Sequence, residues 1–261
     1  MINEEENTKI SKIIDSFKFK KKSIFFIHTD LTHYNAKSNN WYEKCSNLYK
    51  FLNQKFKNDT ILLPAFSWSF CKTKKFDIKS TPSEVGIFTE YFRNQKGVKR
   101  SNHPIFSITA KGENSNLFTS NLSHSSTGEG SIFERLRTFD TYIIFFGSGF
   151  MQSCTFLHYI EQMAKIDYRY SKFFEGSVKD GNKIKYGVWE FYVRNNEIFK
   201  FKEWEKNPKI ERDLKKNKIL IEKKVSNFKI SYCSTRKLFN FVSKKIANNN
   251  YYILGHKPQK L

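Results

Sequence analysis

The sequence contains no apolar run that approaches the roughly 20 residues needed to span a bilayer. Its first residues, 1–7, are polar and lack a signal-peptide pattern. The cysteines are scattered without CxxC or zinc-ligand spacing, at Cys45, Cys71, Cys154 and Cys233. Such spacing is typical of reduced thiols. We therefore expect a cytoplasmic protein that is not exported and that holds no structural metal.

Acidic residues are scarce relative to basic ones. The chain has 25 Asp and Glu residues against 46 Lys and Arg residues, which gives a formal net charge of +21. This charge favours anionic partners, namely nucleic acid, phosphate-bearing cofactors and substrates, or an anionic membrane surface, and it disfavours a polycationic substrate. Because the lysines are mixed with Asn, Ile and Phe, an AT-rich genome explains the charge equally well.

Aromatic residues make up 17% of the chain. Together with the positive charge they raise the alternative of a basic nucleic-acid-binding protein, in which aromatic rings stack on bases over a charged groove. Most of these aromatics are Phe within apolar runs, where core packing is the ordinary explanation. Nucleic-acid binding therefore stays an alternative from another functional class.

Short apolar runs alternate with segments of helical periodicity along the chain. This alternation predicts an α/β fold, a layered sheet flanked by helices. The length of 261 residues favours a single domain over 1–261, with a core of about 23–200 and a basic C-terminal segment, 201–261, that completes the fold. The patterns predict strands at 23–27, 60–66, 105–110, 142–146, 188–193 and 229–232, helices at 9–17, 41–56, 84–93, 132–137 and 234–247, and a partly helical segment at 200–222.

The most informative stretch is 155–161, which follows an apolar run and a glycine turn. This pattern predicts a strand, a loop and then a helix capped by Thr155, at a place where pockets commonly open in α/β sheets. The three-residue spacing puts His158 and Glu161 on one helix face, where the acid can orient the imidazole of a general base. The alternative is an ordinary surface contact between the two side chains.

Two loops carry residues suited to binding an anionic ligand. Residues 28–32, with the sequence HTDLT, follow the strand predicted at 23–27 and offer hydroxyls and backbone amides. Residues 99–104 combine Lys, Arg and hydroxyl donors that suit a phosphate. The alternatives are an ordinary strand exit for the first loop and a solvated loop for the second.

Six segments along the chain together resemble the aminoglycoside 3-N-acetyltransferase family. They occur in the order and spacing of that family, and the resemblance extends from about residue 23 to the C-terminal helix. The segments are HTDLT (28–32), ILLPAFSWSF (61–70), FDIKSTPSEVGIFTEYFR (76–93), RSNHPIFSITAKG (100–112), GEGSIFERL (128–136) and TFLHYIE (155–161). The resemblance implies an α/β enzyme that moves an acyl group from a coenzyme A thioester, such as acetyl-CoA, to a primary amine without a metal.

The resemblance also implies roles for individual residues. His158 would be the general base, Glu161 its partner, and Asp77 a residue that grips the acceptor. The donor would be bound by Thr29, Asp30 and Leu31 along the pantetheine channel, by Arg100, Ser101 and His103 near the cofactor, and by Thr155 beside the thioester. Because direct attack by the amine needs no enzyme nucleophile, a covalent route through Cys154 is only an alternative.

The acceptor is where this sequence departs from the family. The loop at 32–35 lacks the glycine usual there. A chain with a charge of +21 would repel a polycationic aminoglycoside. We therefore predict an amino-sugar acceptor that carries phosphate, nucleotide-linked or lipid-linked, as in lipopolysaccharide and other surface-polysaccharide synthesis. The alternative acceptor is an aminoglycoside.

Overall fold

Strands and helices alternate along the chain in the computed structural model, which describes residues 4–34, 38–201 and 207–261. The strands are β1 (Ile24–Thr29), β2 (Thr60–Pro64), β3 (Lys75–Asp77), β4 (Lys99–Arg100), β5 (Ile108–Lys111), β6 (Tyr142–Phe146), β7 (Arg169–Asp180), β8 (Lys183–Arg194), β9 (Phe199–Lys200), β10 (Ile221–Val225), β11 (Phe228–Ser234) and β12 (Gln259–Lys260). The helices are α1 (Glu4–Ser16), α2 (Trp41–Lys55), α3 (Phe70–Thr73), α4 (Ile87–Arg93), α5 (Ser115–Thr119), α6 (Ile132–Thr138), α7 (Phe150–Ser153), α8 (Phe156–Met163), α9 (Pro208–Lys216) and α10 (Thr235–Asn248). Among these residues, no helix is long and apolar enough to cross a membrane.

Seven strands form a mixed sheet in the order β10-β11-β6-β1-β2-β5-β4. The central strand, β1, pairs in parallel with both β2 and β6. The other neighbours in this sheet pair antiparallel. Because β1, β2 and β6 run in one direction, their carboxyl ends lie at the same edge of the sheet, where ligands commonly bind. The predicted α/β architecture, a layered sheet flanked by helices, is confirmed.

Both faces of this sheet are buried. On β1, Phe26 belongs to one apolar cluster, whereas Phe25 and Ile27 belong to a second. On β6, Phe145 and Phe146 are divided between the clusters in the same way. Successive side chains of a strand point to opposite faces, so a strand buried on both faces reads as a continuous apolar run. Core packing therefore accounts for these phenylalanines.

A second sheet is built on a long hairpin that the sequence patterns identified only in part. β7 and β8 contain 12 residues each and pair antiparallel, and β3 joins β7 in parallel. The inward side chains Val178 and Trp189 are buried, whereas Phe173 and Tyr186 on the outward face are exposed. Only 188–193 was predicted as a strand, because lysines and glycines interrupt the alternation elsewhere in the hairpin. The hairpin covers the first apolar cluster with its inward face.

The predicted start of the helix at 84–93 is wrong. α4 begins at Ile87, after Gly86, and neither Thr81 nor Ser83 caps it. The backbone N–H of Ser83 instead donates to the Glu90 carboxylate at 2.7 Å. That bond keeps the residues before Ile87 in a loop outside the helix. The strand predicted at 105–110 also starts later, at the first residue of β5.

The C-terminal part of the chain is built into the main sheet. β11 pairs with β6, and β10 pairs with β11. α10 begins after Ser234, whose hydroxyl caps the helix by accepting from the Lys237 backbone N–H at 3.3 Å. The partly helical segment predicted at 200–222 contains α9, but 202–206 lie outside the described residues, as do 35–37 of the loop after HTDLT.

Candidate active site

A cavity of about 660 Å³ lies at the edge of the sheet where β1 and β2 end. The segment of α7 and α8, the hairpin and the C-terminal loop complete its wall. Its volume is in the range of small-molecule sites, about 300–1,000 Å³. Its wall is mainly apolar, and its ionisable or hydroxyl side chains include His28, Thr29, Thr155, His158, Glu161, Arg169 and Arg194.

His158 and Glu161 are in contact on one face of α8, as their spacing predicts. The imidazole Nδ1 lies 2.8 Å from Glu161 Oε2. The Glu161 side chain is 1% exposed, whereas the His158 side chain is 34% exposed. A carboxylate that accepts from Nδ1–H leaves the lone pair on Nε2, which is the tautomer a general base needs.

Tyr168, just before β7, and Arg169, the first residue of β7, hold the carboxylate of Glu161. The Tyr168 hydroxyl donates to Oε1 at 2.8 Å, and Arg169 Nε lies 2.9 Å from Oε2 as an ion pair. Burial alone would raise the pKa of Glu161, but the Arg169 charge and the hydrogen bonds from His158 and Tyr168 lower it to about 2. The buried acid is therefore ionised across the physiological pH range.

The imidazole of His158 is held neutral by its surroundings. Burial lowers its pKa below the usual value, and the nearby Arg169 charge lowers it further, although Glu161 opposes both effects. A neutral imidazole can accept a proton at neutral pH. The electrostatics of the site therefore suit a base.

Thr155 does not cap α8 with its side chain, so that prediction is wrong. It occupies the N-cap position but has helical dihedrals, φ −63° and ψ −19°, and its side chain makes no capping bond. A capping side chain normally requires an extended backbone at this residue. The Thr155 hydroxyl is buried and has no hydrogen-bond partner within the protein.

The sequence analysis did not identify Tyr168, Arg169 and Arg194 as site residues. Arg169 and Arg194 are paired across the hairpin, at the first residue of β7 and the last of β8. Both line the cavity. Only the folding of the hairpin brings them to α8, so no local pattern in the sequence indicated them.

Arg100 makes the contacts of a residue that holds loops together. Its guanidinium donates to the carbonyl oxygen of Ala65 at 2.7 Å, to that of Ile78 at 3.3 Å and to the Ser107 hydroxyl at 3.1 Å. It also donates to the carbonyl of Thr81. Arg100 does not line the described cavity, and its contact with the donor stays a prediction.

Ser101 and His103 are also bonded within the protein and lie outside the described lining of the cavity. The Ser101 hydroxyl accepts from the Ile108 backbone N–H at 3.0 Å. Nδ1 of His103 accepts from the Phe106 backbone N–H at 3.0 Å. Both side chains are buried. Their predicted place near the cofactor therefore stays a prediction, and the bonds they make are structural.

Among the residues predicted along the pantetheine channel, Thr29 lines the described cavity, whereas Asp30 and Leu31 do not. Asp30 accepts from the backbone and hydroxyl of Thr32, at 2.8 Å and 2.6 Å. Leu31 belongs to the second apolar cluster, on the other face of the sheet. Contact of these two residues with the donor stays a prediction.

Asp77 lies at the end of β3 and outside the described cavity lining. Its carboxylate accepts from the backbone of Lys79 and Ser80, at 2.9 Å and 3.0 Å, and pairs with Lys179 at 3.3 Å. These bonds stabilise the turn after β3. Its predicted role in gripping the acceptor remains a prediction.

A second cavity, of about 540 Å³, shares Arg169 with the first. Glu129 and Glu190 line it. The Glu190 carboxylate accepts from neutral donors, Gln162 Nε2 at 2.7 Å and the hydroxyls of Ser125 and Ser171. The described residues contain no cluster of three or more side chains with metal-ligating groups. Because Arg169 lines both cavities and pairs with Glu161, the carboxylates of the second cavity lie on the far side of Arg169 from the His158–Glu161 pair.

The fold is an α/β fold with a mixed sheet, and the site is a histidine paired with a buried carboxylate at the ligand edge of that sheet. The family model described as aminoglycoside 3-N-acetyltransferase matches residues 33–247. Because this match covers more than half of the chain, the protein belongs to that family. The resemblance found in the sequence is confirmed, and so is the predicted enzyme class, a coenzyme A-dependent N-acyltransferase that uses acetyl-CoA.

Solved structures share the fold at low sequence identity. AAC-IIIb in a binary complex with CoASH aligns with a TM-score of 0.75 and 14% identity, covering 97% of this chain and 98% of that chain. AAC-VIa bound to sisomicin aligns with a TM-score of 0.75 and 16% identity, covering 93% and 97%. The YokD protein from Bacillus subtilis aligns with a TM-score of 0.72 and 20% identity, covering 93% and 99%. No curated protein sequence matches the chain.

Proposed function

We propose that the protein transfers the acetyl group of acetyl-CoA directly to a primary amine of an amino sugar, with His158 as the general base. The observation that carries this proposal is the His158–Glu161 pair in the wall of a cavity large enough for both reacting groups. Family membership supports the reaction class. The mainly apolar wall fits a pantetheine arm, and Thr29 and Thr155 would contact the donor.

The proposed reaction assigns one proton transfer to His158. The amine nitrogen attacks the thioester carbonyl carbon while Nε2 of His158 takes the amine proton. The C–S bond then breaks, and coenzyme A leaves as a thiolate that takes up a proton. General-base catalysis of this kind contributes about 10²- to 10⁴-fold to the rate.

The environment of Cys154 supports direct attack over an acyl-cysteine intermediate. Cys154 lines the cavity four positions before His158, as the sequence indicated. Burial raises the pKa of its thiol to about 12. The thiolate is the nucleophilic form of cysteine, so this thiol is poorly suited to attack a thioester near neutral pH.

Two observations favour an aminoglycoside as the acceptor over the phosphate-bearing sugar predicted from net charge. The chain belongs to a family named for aminoglycoside acetylation, and AAC-VIa was solved with sisomicin. In addition, the second cavity, which shares Arg169 with the first, is lined by the carboxylates of Glu129 and Glu190 as well as by Lys165. Carboxylates there would pair with ammonium groups of a polycationic acceptor.

The phosphate-bearing amino sugar is the second candidate, and the charges of the first cavity favour it. Glu161 is the only carboxylate in the described lining of that cavity, and the charge of Arg169 already balances it. Arg194 adds a second cation to the wall. A nucleotide-linked or lipid-linked sugar would place its phosphate against such a surface. The predicted attraction to an anionic membrane also belongs to this candidate.

Release of coenzyme A, measured across a panel of acceptors, tests the proposal. The panel contains sisomicin, gentamicin, amino-sugar nucleotides and a simple amino sugar with one amine and no phosphate, each with acetyl-CoA. The proposed function predicts release with at least one amine and the highest kcat/KM with an aminoglycoside. Preference for an amino-sugar nucleotide would favour the second candidate, and release with none of the amines would refute the proposed function.

A further inference from the structure

Buried polar atoms without partners are concentrated at the active-site cavity. Among the described residues, four buried side-chain atoms lack a hydrogen-bond partner: His28 Nε2, Asn47 Nδ2, Thr155 Oγ1 and Arg169 Nε. Three of the four belong to residues that line the cavity. Arg169 is balanced by its ion pair with Glu161 at 2.9 Å. The two polar groups that remain unsatisfied at the cavity are therefore those of His28 and Thr155.

His28 is embedded in aromatic surroundings on β1. Its ring packs edge-on against Phe26, with centroids 4.7 Å apart, and stacks on Phe145 at 5.6 Å. The residue is only 5% exposed, and burial lowers its pKa to about 3. At neutral pH the imidazole is therefore uncharged and carries one N–H donor and one acceptor nitrogen.

An unsatisfied group of this kind destabilises the protein. A buried donor or acceptor without a partner has lost its hydrogen bonds to water and gained none in return. Native proteins seldom contain such groups, and those they retain are often found where a ligand or a buried water completes the bonding. His28 is not part of the His158–Glu161 pair, so general-base catalysis does not account for it. Its position in the wall instead suggests a bond to the molecule that occupies the cavity.

We propose that the imidazole of His28 donates a hydrogen bond to the carbonyl oxygen of the acetyl thioester, alongside the hydroxyl of Thr155. This inference rests on the proposed function. Both are neutral groups that can donate, both atoms are buried, and both belong to residues in the wall of the cavity that contains the proposed base. Fixed neutral donors at an oxygen that gains negative charge are among the largest contributions to acyl transfer.

The hydrogen bonds would act at one stage of the reaction. When the amine nitrogen attacks, the electron pair of the carbonyl bond moves onto the oxygen, and the two donors stabilise that charge. The pair returns to re-form the carbonyl as the C–S bond breaks. His158 takes the amine proton, so His28 neither gains nor loses one. No reactant beyond acetyl-CoA and the amine is required.

The test compares two substitutions of His28. His28→Leu removes both ring nitrogens, whereas His28→Gln keeps an N–H donor near the position of Nε2. We expect His28→Leu to lower kcat about 10²- to 10³-fold, the usual effect of losing one such donor. We expect His28→Gln to recover most of that lost activity. The affinity for CoASH, which lacks the acetyl carbonyl, should be unchanged, whereas the affinity for acetyl-CoA should fall in His28→Leu.

Asn47 supplies the matched control. It contains the fourth unsatisfied buried atom, on α2, and it does not line the described cavity. Asn47→Leu should leave kcat unchanged. Because each leucine removes an unsatisfied polar group, the melting temperature should stay equal or rise in both leucine variants. If His28→Leu loses turnover but keeps its stability, and Asn47→Leu keeps both, then His28 acts through a contact with the substrate and not through a structural role.

Three results would overturn the inference. If His28→Leu keeps kcat within about threefold of the wild type, a buried water and not the substrate satisfies the ring. If it weakens CoASH and acetyl-CoA equally, the ring contacts the pantetheine arm. If His28→Gln loses as much activity as His28→Leu, the N–H donor of residue 28 is not what matters. If His28→Leu does not fold, an inactive but folded His28→Gln leads to the same conclusion. Absence of turnover in the wild type would instead refute the proposed function, and the two affinities would still test His28.

Discussion

At the scale of single residues, the site depends on a carboxylate whose charge is balanced within the protein. Glu161 is buried and contacts Arg169, Tyr168 and His158. The cation keeps the acid ionised and disfavours a second positive charge on the imidazole. Arg169 thus affects the proton affinity of the proposed base without being the base.

Replacing Arg169 should shift the pH dependence of the reaction. A base must be unprotonated, so kcat/KM falls as the pH drops through the His158 pKa, which lies below the usual value of 6.5. In Arg169→Met the cation is lost and Glu161 favours the imidazolium, so the acid limb should move to higher pH. The measurement is kcat/KM against pH for the wild type and the variant.

Arg169→Lys is the control for this prediction, because it keeps the positive charge. Its acid limb should lie nearer to that of the wild type than to that of Arg169→Met. An acid limb that stays at the same pH in all three proteins would show that Arg169 does not act on the titrating group.

The His158–Glu161 contact could be predicted from the sequence because it depends on three-residue spacing within one helix. Tyr168 and Arg169 could not, since their contact with Glu161 depends on how the hairpin packs against α8. The role of Thr155 as a cap was wrong because spacing does not reveal the helical dihedrals of that residue. Local geometry was thus predictable, whereas contacts between elements were not.

At the scale of elements, the turn after β6 brings two loops close together. Gly147 has φ +80°, and a Cβ there would lie 2.0 Å from the carbonyl oxygen of Asp30. Asp30 in turn donates its N–H to the carbonyl of Phe146 at 2.9 Å. A side chain at 147 would therefore push apart the ends of β1 and β6, and the end of β1 carries His28 and Thr29 of the cavity wall.

Gly147→Ala should be much more destabilising than Gly97→Ala. Gly97 has φ +79° but no atom within 4 Å of an added Cβ, so it shares the backbone strain without the clash. The strain costs about 1–2 kcal/mol in each variant. Overpacking at 147 typically adds about 1–3 kcal/mol. The measurement is the free energy of unfolding in urea, and equal losses would contradict the close approach to Asp30.

The central strands were predictable from the sequence because burial on both faces makes them continuous apolar runs. The hairpin was only partly predictable, since its outward face mixes exposed Phe173 and Tyr186 with lysines. The start of α4 was predicted too early because a tertiary bond, from Ser83 to Glu90, stands in place of a local cap.

At the scale of the whole molecule, the charge of +21 does not by itself decide the acceptor. Net charge describes long-range attraction, whereas binding depends on the groups that line a site. Here the second cavity has as many carboxylates, Glu129 and Glu190, as cations, Lys165 and Arg169, although the chain as a whole is basic. The burial of most aromatic side chains in the two apolar clusters accounts for the aromatic content without nucleic acid.

Binding to nucleic acid should therefore reflect charge alone. Titration with single-stranded DNA at low salt should show weak binding that is independent of sequence, and that binding should fade as salt approaches physiological concentration. Fluorescence anisotropy with two DNA sequences of equal length measures both properties. Tight binding that persists at physiological salt and distinguishes the sequences would contradict this expectation.

The most direct test of the account is the turnover number of His158→Ala with the best acceptor of the panel, measured by coenzyme A release beside the wild type. The proposed role of His158 predicts that kcat falls by about 10²- to 10⁴-fold, the usual contribution of a general base. The variant should still bind CoASH, because the donor site is otherwise intact. A variant that retains kcat within about threefold of the wild type would contradict the central claim.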